Sequence, residues 1–113
     1  MANKQEKLVL WFDEITRDDV ALVGGKSASL GELTSRTNVA VPYGFATTAY
    51  AYRFFMRQSG LEQKIKELLM QLDDVEDSRK LREVCAAIRQ EILAATMPAE
   101  LAESIAAAYR KLV

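Results

Sequence analysis

Apolar residues recur every three or four positions over most of the second half of the chain, which is typical of amphipathic helices. The pattern predicts a helix from Thr47 or Thr48, either of which can cap it, to Gly60, a residue type suited to ending a helix. Three more helices are predicted after it, with Ser78 as a candidate cap and Pro98 in the first turn of the last one. Their apolar stripes are Leu61, Ile65, Leu68, Leu69 and Leu72; Leu81, Val84, Cys85, Ile88 and Ile92; and Leu101, Ile105, Ala108 and Leu112.

The first half of the chain changes pattern more often. Residues 8–15, LVLWFDEI, are rich in β-branched and aromatic side chains and predict a strand, and residues 16–20 predict a turn or a short helical turn. A short helix is predicted from Ser27, as its cap, to about residue 36. Residues 39–48 predict a second short extended segment, which Pro42 and Gly44 interrupt.

Together these elements predict a helix-rich α+β fold, in which short N-terminal strands pack on a bundle of about four to five helices. A chain of 113 residues is long enough for one modest core, so we expect a single domain over 1–113. Within it, residues 1–46 are expected to hold the strand and the Gly-Gly-Lys region, and residues 47–113 the helical region.

The composition excludes several classes of protein. Half of the residues are apolar, 27% are charged and the net charge is -1, which is typical of a folded domain. The balanced charge predicts no nucleic-acid binding, so any anion site has to be local. Because no apolar run is long enough for a signal peptide or a membrane span, we expect no membrane contact and a cytoplasmic location.

The chain has no histidine and one cysteine, Cys85. Catalysis by a histidine, metal binding by a histidine and a phosphohistidine are therefore excluded within this chain, and so is a zinc site of paired cysteines. Cys85 lies in an apolar helical stripe, which predicts a buried and unreactive thiol. We expect no catalytic residue and no metal ligand in this chain.

The candidate chemistry lies in residues 22–33, LVGGKSASLGEL. Gly24 and Gly25 let the backbone approach a ligand closely, and a helix that begins near Ser27 directs N–H groups and the positive end of its dipole to the same place. Lys26 adds a full positive charge. These features suit the phosphates of a nucleotide and make the four residues the candidate binding site.

Two other interpretations of these residues have to be weighed. A P-loop requires a glycine at position 20, where this chain has Val20, and no parallel α/β pattern follows, so a P-loop NTPase is not favoured. The other interpretation is a plain structural turn with an exposed Lys26. Composition alone leaves that alternative open.

Several motifs in a fixed order carry a family resemblance. VLWFDEI, DVALVGGKSASLGEL, VAVPYGFATTAYAYRFF and SGLEQKI follow one another, and the helical segments AAIRQEI and AAAYRKL come after them. This order resembles the N-terminal region of the phosphoenolpyruvate synthase family, within the group of enzymes that also includes pyruvate, phosphate dikinase and rifampicin phosphotransferase. The similarity spans most of the chain.

The resemblance implies the leading subdomain of an ATP-grasp-like nucleotide-binding domain, in which Lys26 contacts the phosphates of ATP. It also implies a larger gluconeogenic phosphotransferase that converts ATP, pyruvate and water to AMP, phosphoenolpyruvate and phosphate. The phosphohistidine and the ligands of the Mg²⁺ cofactor would then lie outside this chain.

ATP is the partner that the resemblance implies for this chain. Pyruvate and phosphoenolpyruvate would bind through other domains, and the resemblance is compatible with a homodimeric whole protein. The chain alone is expected to be inactive and to bind nucleotide at millimolar concentration at best. A rifampicin-phosphotransferase-like antibiotic kinase and a freestanding helical interaction module stay as alternatives.

Overall fold

The computed structural model of the protein describes residues 3–73 and 76–113. Over these ranges the chain forms five helices and a two-stranded antiparallel sheet, so the predicted helix-rich α+β class is confirmed. The strands are β1, Val9–Trp11, and β2, Phe45–Thr47. The helices are α1, Val20–Arg36; α2, Ala49–Gln58; α3, Leu61–Leu69; α4, Ser78–Ala94; and α5, Ala99–Leu112.

Packing divides the chain into two compact units. The first takes in the described residues of 1–54 together with 99–113, and the second takes in those of 55–98. The first unit therefore holds the sheet, α1, the whole of α5 and most of α2. The second unit holds the end of α2 together with α3 and α4. The expected single domain over 1–113, with its segments 1–46 and 47–113, stays a prediction.

The first unit is built on the short sheet. β1 and β2 pair antiparallel, with Val9 opposite Thr47 and Trp11 opposite Phe45. Leu10, in the middle of β1, is completely buried. Burial of an apolar side chain of this size contributes about 1.5–3 kcal/mol, so the sheet is held by its buried face as well as by its backbone hydrogen bonds.

β1 is shorter than the predicted strand over 8–15. It ends at Trp11, and a 3-10 turn, Phe12–Glu14, follows. The Glu14 carboxylate stabilises this turn, because its Oε1 accepts the Trp11 backbone N–H at 3.1 Å. The backbone N–H of Ile15 then donates to the Phe12 carbonyl at 3.2 Å and closes the turn.

α1 begins earlier than predicted. The turn predicted within 16–20 is present as a 3-10 turn, Arg17–Asp19, but α1 continues directly from it at Val20. Ser27 therefore lies inside α1, and the prediction that it caps the helix is wrong. An upstream cap, in which the Asp18 N–H donates to Thr16 Oγ1 at 3.3 Å, accounts for the early start of α1. The reason that Ser27 is not a cap is the non-helical conformation of Gly24, after which the helix resumes two residues before Ser27.

α1 packs unusually closely on the turn that precedes it. A Cβ atom at Gly31 would lie 2.7 Å from the Ile15 carbonyl oxygen and closer still to the Ile15 side chain. Ser35 Oγ also donates to the Ile15 carbonyl, at 2.9 Å. Ile15 is completely buried, and Ala28, on the same side of α1, is 1% exposed. Only a residue without a side chain at position 31 allows this approach.

The second unit departs from the predictions in three details. α3 ends at Leu69, so Leu72 lies beyond it. α4 is capped by Asp77, whose Oδ1 accepts the Lys80 N–H at 3.2 Å, and not by Ser78. Cys85 is half-buried and not fully buried. The core residue on its stripe is Val84, which is 3% exposed.

Thr48 joins the sheet to α2. Its Oγ1 donates to the Lys7 carbonyl at 2.6 Å and accepts the Ala51 N–H at 3.0 Å, so it caps the helix while holding the segment before β1. It is 5% exposed, whereas Thr47 is exposed. The structure thus selects Thr48 from the two caps that the sequence allowed.

We expect Thr48→Val to lower the free energy of unfolding by about 1–3 kcal/mol, because the Lys7 carbonyl and the Ala51 N–H lose their shared partner. Thr47→Val is the matched control and should change it by less than about 0.5 kcal/mol. Urea unfolding measured by circular dichroism compares the two variants. Equal effects would show that the Thr48 hydroxyl has no special role.

Candidate functional site

Gly24 breaks α1 close to its start. Its backbone angles are φ 84° and ψ 167°, far from helical values, although the residues on both sides are helical. Side chains disfavour this conformation, so glycine is the residue type that fits. The break leaves a short turn, residues 20–23, followed by a longer helical segment, residues 25–36. This longer segment has its own N-terminal end at the candidate site.

The backbone at the break is open to approach. Gly24, Gly25 and Lys26 are exposed and Ser27 is half-buried. A Cβ atom built at Gly24 or at Gly25 would meet no atom within 4 Å. The four predicted residues therefore form one exposed bend at the start of the longer helical segment.

In the part of the chain that the structure describes, the Lys26 ammonium has no protein partner. Over residues 3–73 and 76–113 it makes no hydrogen bond or salt bridge, whereas Lys4 and Lys64 lie 2.6 and 3.0 Å from carboxylates. Successive helical residues are rotated by about 100°, so Lys26 lies nearly opposite the buried Ala28. The ammonium group is consequently directed away from the protein and is available to an external anion.

An ion pair with a buried carboxylate lies at the start of α1. Asp19 is 9% exposed, and its carboxylate accepts the Thr16 N–H at 2.9 Å and lies 2.6 Å from Lys4 Nζ. Burial raises the pKa of Asp19, but the hydrogen bonds from Lys4 and Thr16 and the charge of Lys4 outweigh burial and leave the pKa below its usual value. The carboxylate is therefore charged at neutral pH and anchors the N-terminal segment to α1.

This pair was not predicted from the sequence. The Thr16 and Asp19 spacing is close to the capping-box pattern, in which a threonine is followed three residues later by an acidic side chain, so the signal was present. Lys4 had no comparable signal, because it lies 15 residues before Asp19 and only the fold brings the two together.

The first unit also has an open cleft, away from the candidate site. An open cleft of about 500 Å³ runs between β1 and α5, and its lining includes Trp11, Glu14, Ser104 and Lys111. None of residues 24–27 lines it. The candidate phosphate site is thus an exposed bend that lies outside this cleft.

Neither a group that could bind a metal ion nor a membrane-spanning helix is found among the described residues. Across residues 3–73 and 76–113, no three histidine, cysteine, aspartate or glutamate side chains form a group that could hold a metal ion. Over the same ranges, every helix is too short or too polar to cross a bilayer.

Comparison with known proteins decides the family. The family described as "Pyruvate phosphate dikinase, AMP/ATP-binding domain" matches residues 20–113. The chain belongs to this AMP/ATP-binding domain family. The matched region includes all four residues of the candidate site and the whole of α1.

Relatives from bacteria and archaea are similar over almost all of the chain. A probable phosphoenolpyruvate synthase of Staphylothermus marinus is 49% identical over 109 residues, which cover 96% of this chain and 13% of that protein. The phosphoenolpyruvate synthases of Synechocystis and Escherichia coli are 50% and 43% identical, over 96% and 97% of this chain and 14% of each relative. The chain, a member of the AMP/ATP-binding domain family, therefore spans about one seventh of the length of these relatives.

We expect Gly24→Ala to lower the free energy of unfolding by about 1–3 kcal/mol, because alanine has to adopt a conformation that its side chain disfavours. Gly25→Ala is the control, since this glycine is helical and equally open to solvent. It should be neutral or stabilising by up to about 1 kcal/mol. Denaturant unfolding of both variants makes the comparison, and a loss at Gly25 alone would contradict the break at Gly24.

The lowered pKa of Asp19 has a consequence for acid stability. A carboxyl whose pKa is lower in the folded chain stabilises it above its unfolded pKa, and this contribution disappears as the pH falls through the folded pKa. The free energy of unfolding of the wild type should therefore decrease below about pH 4. Asp19→Asn should weaken this dependence, and Asp18→Asn, at an exposed neighbour, should keep it. Urea unfolding from pH 2 to 7 tests this, and identical profiles for the two variants would contradict it.

Proposed function

We propose that the chain is the N-terminal ATP-binding portion of a phosphoenolpyruvate synthase and that its exposed bend contacts the phosphates of ATP. Lys26 is the main contact, and Gly24, Gly25 and Ser27 supply the surrounding backbone. One observation carries the proposal. The Lys26 ammonium, which has no partner among the described residues, lies at an open glycine break where a helical segment begins. The match to an AMP/ATP-binding domain family supports it.

The physical basis is electrostatic. The N-terminal end of a helical segment carries a partial positive charge, and the backbone N–H groups there favour anions. Lys26 adds a full charge within the same bend, and its long side chain can follow a phosphate group. Because Gly24 and Gly25 present no side chain, the phosphate oxygens can come close to the backbone.

The proposal includes Mg²⁺, which would offset the charge of the ATP phosphates in phosphoryl transfer. The bend itself has no carboxylate to hold it, since residues 24–27 are two glycines, a lysine and a serine. We therefore assign the magnesium ligands to residues outside this chain. Lys26 would hold the phosphates in place and offset part of their charge.

The proposal extends to the whole protein. Relatives named phosphoenolpyruvate synthase support conversion of ATP, pyruvate and water to AMP, phosphoenolpyruvate and phosphate. The resemblance adds a phosphohistidine outside this chain, an ATP-grasp-like domain, a gluconeogenic and cytoplasmic setting, and a homodimer. The relatives named above give no support to an antibiotic kinase or to a freestanding interaction module.

We expect titration of the isotope-labelled chain with Mg·ATP to shift the amide signals of residues 24–27, with a dissociation constant of about 1 mM or weaker. Lys26→Ala should abolish most of the shift, because the only full charge in the bend is lost. Lys66→Ala is the control, since Lys66 is an exposed lysine in the other unit. Amide spectra recorded at matched ionic strength measure the effect.

Two results would contradict the proposal. Unchanged signals for residues 24–27 while other residues respond would place nucleotide elsewhere. Equal binding by wild type and Lys26→Ala would remove Lys26 from the site. The proposed reaction is tested on the complete gene product, which should form AMP, phosphoenolpyruvate and phosphate in equal amounts from ATP and pyruvate.

A further inference from the structure

We propose that Gly31 is a positioning residue for the nucleotide site. Through its close contact with Ile15, it fixes the helical segment that carries Lys26. This inference rests on the proposed function and assigns to the ATP-binding bend a residue that lies outside it, about 9 Å along the helix from Gly25. Gly31 itself would not touch ATP.

The contact at Gly31 leaves almost no freedom between α1 and the turn before it. A Cβ at this position would be 2.7 Å from the Ile15 carbonyl oxygen. Real Cβ atoms essentially never come within 3.0 Å of an atom outside their own residue and its chain neighbours. The Ile15 carbonyl and Cβ are fixed to the backbone and cannot rotate away as a flexible side-chain end can. An alanine at position 31 therefore forces the helix and the turn apart by several tenths of an ångström.

Two hydrogen bonds from residues that follow Gly31 tie the helix to the same segment. Ser35 Oγ donates to the Ile15 carbonyl at 2.9 Å, and the Arg17 backbone N–H donates to Glu32 Oε1 at 3.1 Å. Contacts at three neighbouring positions of α1 therefore converge on residues 15–17. Such an arrangement fixes both the distance of the helix from the turn and its rotation about its own axis.

The rotation matters because Lys26 lies on the opposite side of the helix. Ala28, Gly31 and Ser35 follow one another at helical spacing along the packed side, and Lys26 is rotated by about 200° from Ala28. Any tilt or rotation around the Gly31 contact is transmitted along the rigid helix to the Lys26 ammonium. Misplacement of a binding group by a fraction of an ångström to 1 Å is enough to weaken a site substantially.

The test distinguishes displacement of the helical segment that carries Lys26 from a loss of folding stability. We expect Gly31→Ala to raise the dissociation constant for Mg·ATP at least about threefold at a temperature where the chain is fully folded. It should also change the residual dipolar couplings of the amides in 25–36 relative to those of β1 without any nucleotide. Ala108→Gly, which destabilises a buried helical position in the same unit, should leave both quantities unchanged.

Ser35 supplies a milder variant if Gly31→Ala does not fold. Ser35→Ala removes the hydrogen bond to Ile15 and should raise the dissociation constant, while Ser35→Thr keeps the hydroxyl and should restore it. Unchanged affinity in Gly31→Ala or Ser35→Ala, with the wild type binding normally, would overturn the inference alone. Absence of Mg·ATP binding by the wild type would overturn the proposed function and, with it, this inference.

Discussion

The contact between Ile15 and Gly31 is the constraint on which the first unit depends. It brings α1 against the turn that follows β1 more closely than any side chain at position 31 would permit. Because Ile15 is completely buried there, the same contact helps to form the core. The polar face of α1 is then turned outward, with Lys26 near its start. Packing and the placement of charge thus have one cause, which is the absence of a side chain at a single position.

Charge is distributed around α1 in two different ways. At its start, Asp19 is buried and fully matched by Lys4 and by the Thr16 N–H. A few residues later, Lys26 is exposed and has no charged partner within residues 3–73 and 76–113. A buried carboxylate with hydrogen-bond partners stabilises the fold, whereas an unpaired charge on the surface is available to a ligand. The contrast within one helix separates the residues that hold this region from those that we assign to ATP.

Much of the fold followed from the sequence, because the helical stripes of the second half have strong periodicity. The errors occurred where a single residue sets the local path of the backbone. Glu14 stabilises the turn after β1 by accepting the Trp11 N–H, and Gly24 places the break within α1, so that Ser27 is not a cap. The candidate residues were identified from their chemistry and from family resemblance. The packing of α1 on Ile15 and the pairing of Lys4 with Asp19 depend on contacts between residues that are distant in the sequence. The periodicity of apolar residues does not predict such contacts.

The position of the single tryptophan gives the chain an optical property. Trp11 lies in β1, its ring stacks on Tyr43 with centroids 4.6 Å apart, and Phe45 is its other aromatic neighbour. All three residues belong to the first unit, whereas helices occur in both units. Indole fluorescence therefore monitors the first unit alone, and far-ultraviolet ellipticity sums over both. Superimposable melting curves from the two signals mean that the units unfold as one, and separated curves mean that each has its own transition.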